Sequence, residues 1–238
     1  MKRMKILAID TATEGCSAAL LWNDAVLTRE QVAPQAHTRL ILPMVSELLA
    51  EAGASLSGLD AIAFGRGPGS FTGVRIGIGA AQGLAYGAGV PLIGVSTLQM
   101  LAQGAYRRQQ AEKAVAAIDA RMNEIYIGAF LLRDGLMQSV VDEAVILPEQ
   151  AGEYLSQFEA QLANGVAVGT GFTSYTELAA QLGLQPADNA QEVNLPWAQD
   201  MLPQAVAAFR AGDYCEPALA SPVYLRDKVT WKKLPGRE

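Results

Sequence analysis

Two aspartates stand where a sheet-based nucleotide-binding fold would place a working carboxylate. Asp10 closes the apolar run at 5–10 (KILAID), and Asp119 closes the run at 115–119 (VAAID). A strand-end carboxylate of this kind can hold a hydrated Mg²⁺ beside a phosphate, with Thr11 and Thr13 supplying hydroxyl and backbone donors after Asp10. The plainer role for each is to cap the turn that follows. The glycine-rich run at 65–73 invites a phosphate-loop reading, but a Walker sequence needs Lys-Ser/Thr after its second glycine, and Val74-Arg75 follow Gly73. A P-loop ATPase is excluded, and the run reads as a tight connection into a close-packed helix. His37 is the sole histidine, and the two cysteines, Cys16 and Cys215, are too few for a disulfide scaffold or a zinc site. With no signature for a nucleophile beside it, His37 reads as an exposed residue near a helix start, and Ser-His, Cys-His and zinc protease chemistry lack support. DARMNEIY at 119–126 mixes charge and polarity and reads as a solvated hairpin turn.

These residues need a scaffold, and composition bounds it. The chain has 238 residues, half of them hydrophobic, which is enough for one large domain or two small lobes. A formal net charge of −6 argues against autonomous nucleic-acid binding through a broad basic face. No leader-like apolar run opens the sequence, and the most apolar stretch, 73–95, contains Arg75, Pro91 and several glycines. The expectation is a cytoplasmic protein with no membrane span.

Positioning elements follow from periodicity. Strands are expected at 5–10, 17–22 and 26–32 as an antiparallel meander, then an apolar helix at 36–52 in which Pro43 forces a kink or a late start. A buried strand at 61–65 leads through the glycine loop into a helix at 71–88, capped by Ser70, with Phe71, Val74, Ile78, Leu84 and Ala85 as its apolar positions. A strand at 91–95 and a helix capped by Ser96 close this half. The pattern then restarts: strand, terminal Asp119, polar turn and second strand (125–132) recur 109 residues after Asp10, which suggests duplicated lobes. Later elements are a strand near 138–146, a helix opened by Pro148, a strand at 166–169 ending in Gly169-Thr170-Gly171, and helices at 173–182 and 197–210. The expected division is 1–108, 109–216 and a basic tail, 217–238.

The 71–88 helix is expensive. Interior glycines cost ~0.8–1 kcal/mol each relative to alanine, so Gly73, Gly77, Gly79 and Gly83 together cost roughly 3–4 kcal/mol. Gly73, Gly77, Ala81 and Ala85 make one small-residue row; Gly79, Gly83 and Gly87 make another. Such rows let a second backbone approach closely, so the helix predicts a tightly apposed neighbour in this chain or another.

Five segments, IDTAT at 9–13, GRGPGSFTGVRIGIG at 65–79, GVST at 94–97, AIDARMNEIY at 117–126 and PVYLRDKVTWKKLPG at 222–236, resemble the bacterial TsaB (YeaZ) family of tRNA threonylcarbamoyladenosine biosynthesis proteins over nearly the whole chain. The first two alone indicate only the wider actin-like ATPase superfamily. The resemblance implies an α/β fold of two duplicated actin-like lobes, each a mixed sheet with flanking helices. It also implies a non-catalytic partner of TsaD in N6-threonylcarbamoylation of adenosine 37 in tRNAs reading codons that start with A, with TsaE joining through the TsaD complex. The catalytic relative binds its metal through an H-x-x-x-H pair; the matching positions here are Thr97 and Leu101, which implies no metal and no transfer chemistry. Asp10, Thr11, Asp119, Gly169 and Gly171 remain as vestigial nucleotide-site candidates, with no cofactor expected. The expected interface comprises Leu40, Met44, Leu48, Thr72, Gly73, Arg75, Ile76, Gly79, Ala80 and Gly83, facing TsaD or a second copy in a homodimer, with tRNA contacted at most indirectly. The competing readings are an actin-like ATPase or sugar kinase and, more weakly, a glycoprotease-like peptidase.

Overall fold

The computed structural model describes residues 3–187 and 194–226. Its first sheet has five strands in the order β3-β2-β1-β4-β5, formed by β1 Ile6–Asp10, β2 Gly15–Trp22, β3 Ala25–Val32, β4 Ala61–Gly65 and β5 Leu92–Val95. β2 runs antiparallel to β1 and β3, whereas β1, β4 and β5 are parallel. β1 is apolar up to its terminal Asp10 because both of its faces are covered. Leu7 and Ile9 pack with the inward residues of α1 His37–Glu51 and α2 Phe71–Ala88. Ile6 and Ala8 pack with Met100 of α3 Thr97–Gln109.

The second sheet repeats the scheme. β6 Lys113–Arg121, β7 Glu124–Arg133 and β8 Leu136–Ser139 form an antiparallel meander, and β10 Val166–Val168 and β11 Gln185–Pro186 extend it in parallel, giving β11-β10-β6-β7-β8. Two mixed sheets with the same internal order are the duplicated α/β architecture that the sequence repeat implied. α3 serves both: Met100 belongs to the first sheet's core, while Leu98, Leu101, Ala102 and Ala105 pack with Ala114, Ala116 and Ile118 of β6. On the far face of β6, Val115 and Ala117 pack against α4 Ala151–Leu155, α5 Glu159–Leu162 and α7 Leu178–Gln181.

Several expectations are corrected. The strand near 138–146 is two: β8 pairs with the far end of β7, and β9 Ala144–Ile146 pairs with its start, at Ile125–Ile127. Between them Glu143 accepts a hydrogen bond from Ser96 across the chain. The helix expected at 173–182 is broken into α6 Thr170–Ser174 and α7, because Tyr175 leaves helical conformation at φ −123°, ψ 77°. α1 begins at His37 and runs through Pro43, so Pro43 does not delay its start.

Residues 198–211, which fall within the expected 109–216 division, pack on the first sheet. After a 3-10 turn at Ala198–Met201 comes α8 Leu202–Ala211, whose Leu202 and Ala205 join Ile6, Ala8, Ala19 and Ile93 in the first sheet's core. Ala198 N donates to Ser17 Oγ at 2.9 Å, and Cys215 pairs with Leu92. The chain crosses to the second sheet and returns. No helix among the described residues is long and apolar enough to cross a membrane.

Candidate docking face and the closed strand-end site

The strand-end site is built from the Asp10–Thr13 turn lying on the first turn of α2. Asp10 is buried; Oδ2 accepts from Ala12 N at 3.2 Å, and Oδ1 is buried with no hydrogen-bond partner. Burial pushes its carboxyl up from 3.8 to about 7, against the lowering effect of backbone hydrogen bonds. The neighbouring strand leaves it no slack: a Cβ on Gly65 would lie 1.9 Å from Oδ1. Thr11 is equally occupied. Its hydroxyl donates to Gly73 O at 2.7 Å, and its carbonyl would lie 2.2 Å from a Cβ on Gly73. Ser70 N donates to Ala12 O, and Ser70 Oγ caps α2 by accepting from Gly73 N. The glycines of this loop admit the chain's own turn to the helix N-terminus.

Asp119 caps its hairpin. Its carboxylate accepts from Arg121 N at 2.8 Å and Arg121 Nη1 at 3.0 Å, as the plainer reading of its sequence expects. Arg121 Nη2 also lies 3.6 Å from Glu14, so the two strand-end turns face each other through an exposed ion pair. Gly169, at φ +100°, and Gly171 press on β6: Cβ atoms there would lie 2.2 Å from Ala117 O and 2.8 Å from Ala117 Cβ. Thr97 is buried with Oγ1 unpartnered, and Leu101 sits in the α3–β6 core, its Cδ1 3.1 Å from where a Cβ on Gly169 would be. Among the described residues no group of three or more His, Cys, Asp or Glu could hold a metal ion. His37 is corrected: it is 8% exposed, with Nε2 3.2 Å from Gly15 O, and links the start of α1 to β2.

The two small-residue rows of α2 have different destinations. Gly73, Gly77, Ala81 and Ala85 are buried, Gly77 against Thr11 Oγ1 and the alanines in the first core. Beyond the helix's own neighbouring backbone, no atom of the described residues lies within 4 Å of where a Cβ on Gly79, Gly83 or Gly87 would be. Thr72 and Arg75 are exposed, and Ile76 and Ala80 half-buried, along that outer side. The expected interface therefore loses Gly73, Met44 and Leu48: Gly73 is closed by Thr11, and Met44 and Leu48 form α1's inward stripe with Ile41 and Val45. Leu40 is half-buried against the same core. Sequence reading missed two aromatic residues on this side. Phe71, whose spacing fits the apolar stripe, is 65% exposed, and Tyr86 is 84% exposed. The outer glycine row was the available signal, since it shares that side with neither Val74 nor Ile78.

The C-terminal segment packs beside α2. Gln82 Nε2 donates to Pro217 O and Ala220 O at 2.9 and 3.2 Å, Val223 N donates to Arg66 O at 2.9 Å, and Arg226 Nη2 donates to Ala120 O at 3.0 Å and pairs with Glu124. The segment thus spans from the first sheet's glycine loop to the second sheet's hairpin. Lys228, Trp231, Lys232 and Lys233 lie outside the described residues.

The model of the TsaD family, tRNA N6-adenosine threonylcarbamoyltransferase, matches residues 28–228. The chain is 50% identical over 237 residues to the tRNA threonylcarbamoyladenosine biosynthesis protein TsaB of Escherichia coli K12, covering 99% of this chain and 100% of that protein. It is 43% identical to TsaB of Haemophilus influenzae, with both chains covered in full. Among solved structures it is similar to YeaZ from Pseudomonas aeruginosa, with TM-score 0.81 and 44% identity over 93% of this chain and 100% of that one. A second Pseudomonas aeruginosa structure, described as similar to the peptidase YEAZ, gives TM-score 0.83 at the same identity over 94% and 100%. With full-length identity of this order and the same duplicated sheets, the chain belongs to the TsaB (YeaZ) family of tRNA threonylcarbamoyladenosine biosynthesis proteins.

Proposed function

We propose that the chain is a non-catalytic partner of a TsaD-family transferase in threonylcarbamoylation of tRNA adenosine 37, and that the outer side of α2 is its docking surface. The observation that carries this reading is the open row Gly79, Gly83 and Gly87, flanked by Phe71 and Tyr86. Glycines in a helix cost ~0.8–1 kcal/mol each. For Gly73 and Gly77 the contact with Thr11 accounts for the cost; for the outer row no contact among the described residues does. A second helix approaching at backbone distance accounts for it, and large exposed aromatics beside small residues suit such an interface. The strand-end site supports the non-catalytic half: Asp10 is enclosed, and Thr97 and Leu101 stand where the catalytic relative carries imidazoles. In this reading TsaE joins through the TsaD complex, the chain pairs with itself when alone, tRNA is reached through the complex, and the cytoplasm is the site of action.

The test is reconstitution of tRNA modification with and without the chain, alongside size-exclusion chromatography of the chain mixed with the TsaD-family protein. Gly79→Tyr should abolish co-elution and the stimulation of modification while leaving the melting temperature of the isolated chain within a few degrees. Modification and complex formation that do not depend on the chain would overturn the proposal.

A further inference from the structure

Arg75 is the only charged residue among the 18 of α2. For an exposed cation its side chain is closely held. Nη1 donates to Phe71 O at 3.0 Å, and Cζ lies 3.3 Å from the Phe71 ring centroid and 5.0 Å from that of Tyr224. The two rings are 6.2 Å apart and inclined at 31°. Stacking on aromatic faces restricts a guanidinium and strips part of its hydration, but leaves its charge and the outer edge of its donor fork intact. Among the described residues no carboxylate forms an ion pair with Arg75. Phe71 and Tyr224, 65% and 48% exposed, thus hold at the surface a cation that no described carboxylate neutralises. Tyr224 reaches it because the C-terminal segment is fixed on both sides, at Arg66 by Val223 and at the 119–126 hairpin by Arg226.

The geometry points to the Phe71–Arg75–Tyr224 stack as a preformed carboxylate receptor within the docking face. The partner chain that covers α2 brings an Asp or Glu against Arg75, and the C-terminal segment, with Leu219 70% exposed, forms a further wall of the interface. This rests on the docking reading above and adds what selects the partner. Charge complementarity favours a different chain over a second copy. A twofold pairing of α2 on α2 contributes two Arg75 and no acid from that helix, and the exposed acids of α1, Glu47 and Glu51, are already paired with Arg29 at 2.9 and 2.6 Å; the acids a second copy could still offer include the exposed Asp213 and Glu216 beside the C-terminal segment, and the self-association measurement below tests them.

The experiment is titration of the full-length chain into the TsaD-family protein of the same organism at low and high salt, with self-association of each variant followed by sedimentation. Arg75→Gln should weaken the heteromeric complex at least tenfold at low salt and remove much of its salt dependence, without weakening self-association. Arg75→Lys, which keeps the charge but loses the fork and the stack, should fall between, and Tyr224→Leu should cost a few-fold. The inference is overturned if Arg75→Gln binds within twofold of the unmodified chain, if its loss is independent of salt, or if it weakens self-association equally. Gly79→Tyr separates the two ideas. If it breaks the complex while Arg75→Gln does not, docking on α2 stands and the carboxylate receptor is wrong; if the unmodified chain forms no complex, both fall.

Discussion

Asp10 and Gly65 form a lock at the scale of single residues. A carboxyl faces a glycine that could carry no side chain, and one of its oxygens has no partner. The price is paid in ionisation. With the folded-state value raised from 3.8 to about 7, the folded protein holds a proton on Asp10 that the unfolded chain releases, so this group's contribution is most favourable below the unfolded value and is lost as pH rises through the folded one. The interval of about three pH units, at ~1.4 kcal/mol each, amounts to on the order of 4 kcal/mol. Asp10→Asn removes the titration. Denaturant midpoints measured from pH 4 to pH 8 should show the variant gaining on the unmodified protein by a few kcal/mol across that range. A constant offset will remain, because the amide inherits the unpartnered position of Oδ1. A difference that stays flat with pH would mean that Asp10 is ionised in the folded state and that its burial is misjudged.

At the scale of the element, α2 carries two glycine rows that serve opposite needs, and stability measurements on the isolated chain can separate them. Gly73→Ala drives a methyl to 2.2 Å from Thr11 O, which the turn or the helix must yield to accommodate. A loss of about 2–3 kcal/mol or more is expected, in the range of overpacked sites. Gly79→Ala meets no atom of the described residues and should gain ~0.8–1 kcal/mol, the difference in helix propensity. Equal losses at both positions would place the outer row against this chain's own backbone. Sequence showed that the helix was too costly without close neighbours, and it showed both rows, with Val74 and Ile78 on the side of the inner one; spacing had no trace of the Thr11 turn that closes on that row. The same holds on α1, where Met44 and Leu48 define the apolar stripe in either case; only the sheet behind them turns that stripe inward. His37 was misread because its partner is the carbonyl of Gly15, a contact with no trace in side-chain pattern. The duplicated opening was legible because strand, aspartate, turn and strand are local features. The split of β8 from β9 was not, since it depends on both segments sharing β7.

At the scale of the whole molecule, the two sheets are joined by α3 and by the return of the chain from the second sheet to the first. The apolar side of α8 was visible in sequence, but not which sheet it would cover, and that choice is fixed by a contact between distant segments. Arg107, near the end of α3, donates to Asp200 at 2.6 and 3.2 Å, and Asp200 is buried where a Cβ on Gly104 would lie 2.9 Å from its carboxylate. Burial raises the carboxyl of Asp200 despite the opposing pull of Arg107, so the pair sits on a desolvated acid. Arg107→Met leaves that acid without its hydrogen-bonded counter-charge, with only the charge of Arg108 acting on it, and should cost on the order of 3 kcal/mol at pH 8. The sign with pH follows from the raised value: the variant's Asp200 binds its proton more tightly still, so the penalty shrinks as pH falls and the acid is neutralised. Arg107→Met combined with Asp200→Leu, which removes both charges, should recover most of the loss. Hydrogen exchange read over 198–211 should rise in the single variant before it rises in β1. Unchanged protection there, or a double variant no better than the single one, would show that α8 is held to the first sheet by its apolar contacts alone.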